Sequence, residues 1–331
     1  MMKVKSTDLR ECKSYWRFIK EIGATLPMEP STSKGYCDIL TNLFETFYKE
    51  RFQGTQDEAM KDFRNIETKM IERTSNTIIP TNELEWLNNI EERMCYWIWC
   101  LCRLASSDKP SEQSNDAAWN ANFQQAFNFP WGLNLYLDFQ PNKIDRPYVQ
   151  SNLSLNPLSS TETKKLIIEF LDILPTDIEI KRELIKLWKK EWEAVCNLET
   201  FSWVQNNNQE QSDWLTNYII NNSETKLPTW FIPTSITAKQ KSSAVITAFD
   251  LWPAHPDTKR MFVHKMKKAW GQKKHRMKMD KTNRKAYSIT MSTDAKSKLD
   301  EMALAATMNK NDFLESIILK EYGDFMAKNN P

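Results

Sequence analysis

Apolar residues return every three or four positions through most of this 331-residue chain, the spacing that gives an α-helix one buried face. Ser6-Thr7-Asp8 offers a cap, and Leu9, Cys12, Trp16, Phe18, Ile19 and Ile22 follow at roughly that spacing. Tyr36, Ile39, Leu40, Leu43, Phe44 and Phe47 form a second stripe, and a third spans about 55–74. A fourth runs from Thr81 to Ala105 through Leu84, Trp86, Leu87, Ile90, Met94, Trp97, Ile98 and Leu101. It is apolar almost all round near its end, which places it at the centre of an N-terminal bundle. Helical spacing resumes over 160–197, broken at Pro175, and again over about 210–221, 236–250 and 256–272. Trp188 and Trp192 lie one turn apart in that stretch, and they, like Trp97, Trp99 and Trp203, read as core packing. Between these helices, 107–160 is polar at first and then rich in Pro and aromatics, an irregular connection with one short strand expected at 133–138.

The pattern changes near the C-terminus. Lys285-Ala286-Tyr287-Ser288-Ile289-Thr290-Met291-Ser292 alternates strictly, with Tyr287, Ile289 and Met291 on one face and Ala286, Ser288 and Thr290 on the other. Ser292 then caps a helix carrying Ala295, Leu299, Met302, Ala303 and Ala306. After Thr307-Met308, Asn309 caps a second helix with Phe313, Leu314, Ile317, Ile318 and Tyr322, expected to stop at Gly323. A lone strand cannot satisfy its own backbone. Two copies pairing antiparallel across a two-fold axis solve this, with the helices covering the apolar face.

Composition supports helices. Only 6 Gly occur in 331 residues, few for a protein built on tight turns, against 13 Trp. The six Cys have no CxxC spacing and read as buried thiols, and the three His lie far from any Cys, so no metal site and no cofactor is expected. Gly-rich phosphate loops, HExxH and GxSxG are all missing, and the expectation is that the chain is not an enzyme. The N-terminal stretch has no apolar core of an export signal, and the longest apolar run, Met94 to Cys102, is far too short for a membrane span. A cytoplasmic, nucleoid-associated protein without membrane contact is therefore expected.

Charge sharpens the picture. Residues 259–285 hold 12 Lys or Arg against Asp280 alone, a local +11, and 286–331 are at −2, which leaves 1–258 at −7 within a total of +2. A basic segment on an acidic body points to nucleic acid.

The run SITMS, then a helix, then MNKNDFLESIIL, resembles the ribbon-helix-helix (MetJ/Arc) superfamily. It is similar in particular to the MatP family of Ter-macrodomain proteins, where a Pro-started helix also runs into a basic stretch like QKKHRMKMDKTNRK (272–285) and then the ribbon. The likeness covers about 200–325, and the first 200 residues have no counterpart in it. It implies a small helical bundle fused to a dimeric ribbon unit that binds a palindromic site. A chromosome-organising role does not follow from it, because that role can depend on tail segments and little follows the second helix here except GDFMAKNNP.

The expectation is thus a mainly α chain, with an N-terminal helical domain (1–106), an irregular connection (107–160), a helical bundle (161–258), a basic arm (259–285) and a ribbon-helix-helix (286–325). The ribbon would enter the major groove of double-stranded DNA, with Ala286, Ser288 and Thr290 toward the bases. Lys273, Lys274, Arg276, Lys278, Arg284 and Lys285 would meet phosphates, as would the helix start at Asn309, Lys310 and Asn311. Tyr287, Ile289, Met291, Leu299, Met302, Phe313 and Ile317 would form the homodimer core. The function expected is sequence-specific DNA binding, as a transcriptional regulator or a DNA-organising or partition factor. Two alternatives stay open: a DNA-associated enzyme or replication initiator acting through 1–200, and an interaction scaffold dimerised by the ribbon. A protein partner for 1–200 is a further possibility.

Overall fold

In the computed structural model, the residues described are 4–51, 56–106, 136–137, 146–196, 198–205, 207–222, 237–252, 254–281 and 287–329. The chain is mainly helical. It divides into two compact units, Met1–Lys267 and Lys268–Pro331.

The first unit, the body, begins with α1 (Leu9–Glu21), α2 (Ser33–Arg51) and α3 (Gln56–Thr77). Asp8 supplies the expected cap, its carboxylate accepting from the Arg10 backbone N–H at 2.7 Å. The apolar stripes of α1 and α2 then meet, with Trp16 edge-on to Tyr36 (centroids 5.5 Å apart) inside a cluster that also buries Cys12, Ile19 and Leu40.

The stripe from Thr81 to Ala105 is two elements rather than one. A 3-10 helix (Thr81–Asn89) ends at Ile90, and Glu91, with ψ 150°, starts α4 (Glu92–Leu104) on a new axis. Asn88 and Asn89 compete with helical hydrogen bonds at that point, which gives a local reason for the break. Eleven consecutive residues, Met94 to Leu104, are buried in α4. A helix hidden on every side must be surrounded, and α4 packs on α6 (Ser160–Ile173) and α9 (Ala238–Asp250), which lie far along the chain. The sequence boundaries at 106 and 161 thus fall inside one core.

Between them, Ala105–Ser106 (β1) pairs antiparallel with Tyr136–Leu137 (β2), Ala105 opposite Leu137. The short helix α5 (Pro147–Gln150) tucks Tyr148 into the core, where its hydroxyl accepts from Trp99 Nε1 (2.8 Å) and donates to the Ser154 carbonyl (2.6 Å). The rest of 107–145 lies outside the described residues. Pro175 separates α6 from α7 (Ile178–Val195), whose Trp188 and Trp192 both pack in the core. A 3-10 turn (Leu198–Phe201), α8 (Gln209–Ile220), α9 and the start of α10 (Pro256–Lys281) build a second core of Phe201, Leu215, Val245, Phe249, Trp252 and Phe262. Thr237 and Gln240 cap α9 reciprocally.

One charged group fastens α4 to α9. Arg93 donates from Nε and Nη2 to the two carboxylate oxygens of Asp250, both at 2.7 Å, and lies over the rings of Trp192 and Phe201, 5.6 Å from each centroid. Lys259 closes the group, its Nζ donating to the Asp250 carbonyl at 2.8 Å. Burial lowers the pKa of Lys259 to about 8.

Candidate nucleic-acid interface

The second unit runs from Lys268 to Pro331. It contains the end of α10, the segment 287–292, α11 (Thr293–Ala305) and α12 (Lys310–Asn329).

The helix that starts at Pro256 is longer than the 256–272 expected. It continues through the basic stretch to Lys281, because 273–281 contains no Pro or Gly and Lys278 and Lys281 sit favourably in its last turn. The basic residues are therefore held at helical azimuths. Lys274, Lys278 and Lys281 recur at spacings of four and three and share one face. Arg276 points roughly 200° away from Lys274 around the axis, and Lys273 is half-buried. A linear polyanion lying along one side of this helix would meet Lys274, Lys278 and Lys281 and would not meet Arg276. The sequence reading missed Lys281, which helical phase alone would have grouped with Lys274. Arg284, Lys285 and Ala286 lie outside the described residues.

Residues 287–292 form no strand in the single chain. Ser288 and Thr290 are exposed. The other side of the alternation is exposed as well, with Tyr287 at 85% and Ile289 at 59%. The expected ribbon needs a second strand, and among the described residues of one chain none lies beside it.

Both helix starts follow the sequence expectation. Ser292 Oγ accepts from the Ala295 N–H at 3.2 Å, and Asn309 Oδ1 from the Asp312 N–H at 3.0 Å. The turn between them is a Schellman motif, with Met308 N–H bonded to the Ala303 carbonyl and Thr307 N–H to that of Leu304, each at 3.0 Å. Its left-handed residue is Thr307 at φ 53°, a β-branched side chain where Gly or Asn is preferred. Lys310 is engaged within the unit, its Nζ 2.7 Å from Asp300 Oδ1. Asn311 is exposed beside it.

The helix after Asn309 does not stop at Gly323 but continues to Asn329. Gly323 has a negative-φ helical backbone here, and the following Asp-Phe-Met-Ala-Lys holds no Pro to end the helix. The continuation matters, because it completes an apolar stripe. Ile318, Leu319, Tyr322, Phe325 and Met326 stand at i, i+1, i+4, i+7 and i+8 and all are exposed, Leu319 by 65%. Nearer the start of the helix, Phe313, Leu314 and Ile317 are half-buried, and α12 packs on α11. Leu299 is half-buried, Met302 is exposed, and Leu304 is 80% exposed. Of the described apolar side chains in this unit, only Trp270 and Ala303 are buried.

Among the described residues no group of three metal-ligating side chains is present, and no helix is long and apolar enough to cross a membrane. No protein-family model, no curated protein and no solved structure matches this chain.

Proposed function

We propose that this chain is a homodimeric DNA-binding protein whose segment 286–325 forms a ribbon-helix-helix with a second copy, as its resemblance to the MetJ/Arc superfamily implies. The observation that carries the reading is the exposure of Tyr287, Ile289, Met291 and the apolar stripe of α12 on a unit that is otherwise well capped and helical. Apolar residues in regular phase left open to water are half of a core. Pairing of two 287–291 segments would bury the Tyr287-Ile289-Met291 face and send Ser288 and Thr290 of both copies outward. Hydroxyls on a two-stranded ribbon suit base edges in the major groove. Lys274, Lys278 and Lys281 on one helical face suit phosphates and would fix position rather than read sequence. The two-fold axis predicts a palindromic site, bound by a regulator or a DNA-organising factor.

The test is duplex selection with the full chain, followed by titration at several salt concentrations. With six to eight phosphates neutralised per dimer, log K against log salt is expected to fall with a slope of about −5 to −7. Ser288→Ala and Thr290→Ala are expected to change the preferred base pairs, while Lys274→Gln with Lys278→Gln weakens all duplexes alike. Ile289→Lys, which places a charge on the face to be buried at a cost of several kcal/mol, is expected to abolish both dimer and DNA binding. A chain that selects no duplex, or an Ile289→Lys variant that still sediments as a dimer, would overturn the reading.

A further inference from the structure

The body carries a second concentration of positive charge, in a cleft of about 820 Å³ between α1, α6 and the loop at 150–153. On α1, Arg10, Lys13, Arg17 and Lys20 stand at i, i+3, i+7 and i+10, one face of the helix, and all four line the cleft. On α6, Lys164 and Lys165 line the other wall. Three carboxylates share the lining, and each is already engaged. Asp172 is taken by Arg10 through Nε and Nη2 at 2.8 and 2.7 Å, Glu169 by Lys13 at 2.7 Å, and Glu29 by the Tyr36 hydroxyl at 2.6 Å. Arg17, Lys20 and Lys165 have no carboxylate partner among the described residues, and Arg17 Nη1 is buried with no hydrogen bond at all.

Arg17 as a whole is half-buried and its Nε donates to the Lys13 carbonyl at 3.2 Å, but a buried Nη1 left unmet is costly. Here it is compounded by Lys181, fully buried, whose Nζ donates to the Thr77 carbonyl at 2.6 Å. Burial moves the pKa of Lys181 down to about 8; Arg17 and Arg10 push the same way and Asp172 pulls back. Six cations thus face three carboxylates in the lining of the cleft, with Lys181 behind it near Asp172 and Asp177. Such a site has a deficit of negative charge that an anion would supply. Size and shape narrow the class. The volume suits a molecule the size of a nucleotide, and Leu9, Leu153, Ile168 and Ile173 give the cleft an apolar side for an organic body.

We infer that this cleft binds a soluble phosphate-bearing ligand of nucleotide size, with Arg17, Lys20 and Lys165 toward the phosphates. The site lies wholly within the body and does not depend on the DNA-binding reading.

Calorimetric titration of the full chain with ATP, inorganic pyrophosphate and adenosine tests it. ATP and pyrophosphate are expected to bind and adenosine to give no heat up to about 1 mM. Lys20→Gln with Lys165→Gln, two exposed side chains whose loss leaves the core intact, is expected to weaken both anions by about tenfold or more. The charge-matched pair Lys61→Gln with Lys69→Gln, exposed on α3 outside the cleft, is expected to leave them unchanged. Absence of anion binding overturns the inference, and so does binding that the two pairs of variants weaken equally. A duplex-DNA arm separates the sources: if Lys20→Gln with Lys165→Gln weakens duplex binding while ATP gives no heat, the phosphates belong to nucleic acid and the soluble ligand is refuted.

Discussion

The two units of this chain handle apolar surface in opposite ways. The body sorts its large side chains into three buried clusters, and α4 hides eleven residues in a row. The C-terminal unit also carries many apolar residues on its helices, yet among the described ones it buries only Trp270 and Ala303. Its caps, its Schellman turn and its ion pairs are all made, so local structure is complete where packing is not. The body reads as a self-sufficient fold, and the other unit as one with regular secondary structure that lacks its covering. Stability in the first is set within the chain; in the second it is expected to follow protein concentration.

The sharpest way to break that contrast is Arg93→Met. It removes both hydrogen bonds to the buried Asp250 carboxylate and leaves only Lys259 beside it; breaking a buried pair typically costs about 3–5 kcal/mol, on the order of 10 °C in the melting temperature of a unit this size. Thermal scans at several protein concentrations check it. The body's transition is expected to fall by the same amount at every concentration, and a shift that vanished at high concentration would undo the distinction.

A smaller effect is expected from pH, and only in the body, since no cysteine follows Cys196. Burial raises the pKa of Cys12 and Cys95 to about 12, and those of Cys100 and Cys102 are pushed up as well. Thiols whose folded pKa is raised hold protons that the unfolded chain sheds near pH 8.5. Their contribution is whole below that and is lost as pH climbs toward 12. Lys181 and Lys259, with folded pKa lowered to about 8, act in the opposite sense between about 8 and 10.5. Four thiols outweigh two lysines, so the body's melting temperature is expected to fall from about pH 9 to 11. A flat or rising profile counts against it.

The smallest expected change lies in the other unit. Thr307→Gly relieves a left-handed β-branched residue and is expected to stabilise the α11–α12 pair by about 0.5–1 kcal/mol. Denaturation of the full chain followed by hydrogen exchange at Thr307 and its neighbours would read it. Destabilisation would mean that the Thr307 hydroxyl, which donates to the Ala306 carbonyl at 2.7 Å, matters more than the strain.

Much of this was legible from one strand of text. Leu9 to Ile22 announced α1, Pro175 the gap between α6 and α7, and Ser292 and Asn309 their caps, because periodicity and capping act within a few residues. What could not be read acts over distance or between copies. Arg93 finds Asp250 across 157 positions, and no local rule pairs them. The break at Ile90 was hidden by apolar spacing that fits both a continuous helix and two pieces. Gly323 offered a helix stop that the residues after it decline to use. The alternation at 287–291 is a statement about pairing, and pairing needs a second strand. Among candidate contacts, Lys274 and Lys278 came out together and Arg276 apart, since counting basic residues ignores the direction each one faces.

The clasp between Arg93 and Asp250 has a consequence for how the chain is made. The α4 core cannot close until α9 exists, and α9 leaves the ribosome some 150 residues after α4. Until then the apolar wall from Met94 to Leu104 has only part of its covering. Contacts so distant in sequence slow folding, and surface left open for that interval favours aggregation. Rapid synthesis at high temperature should therefore lose more of this protein to inclusion bodies than its final stability would suggest, and slowing translation between α4 and α9 would not help. The interval closes only when residue 250 arrives.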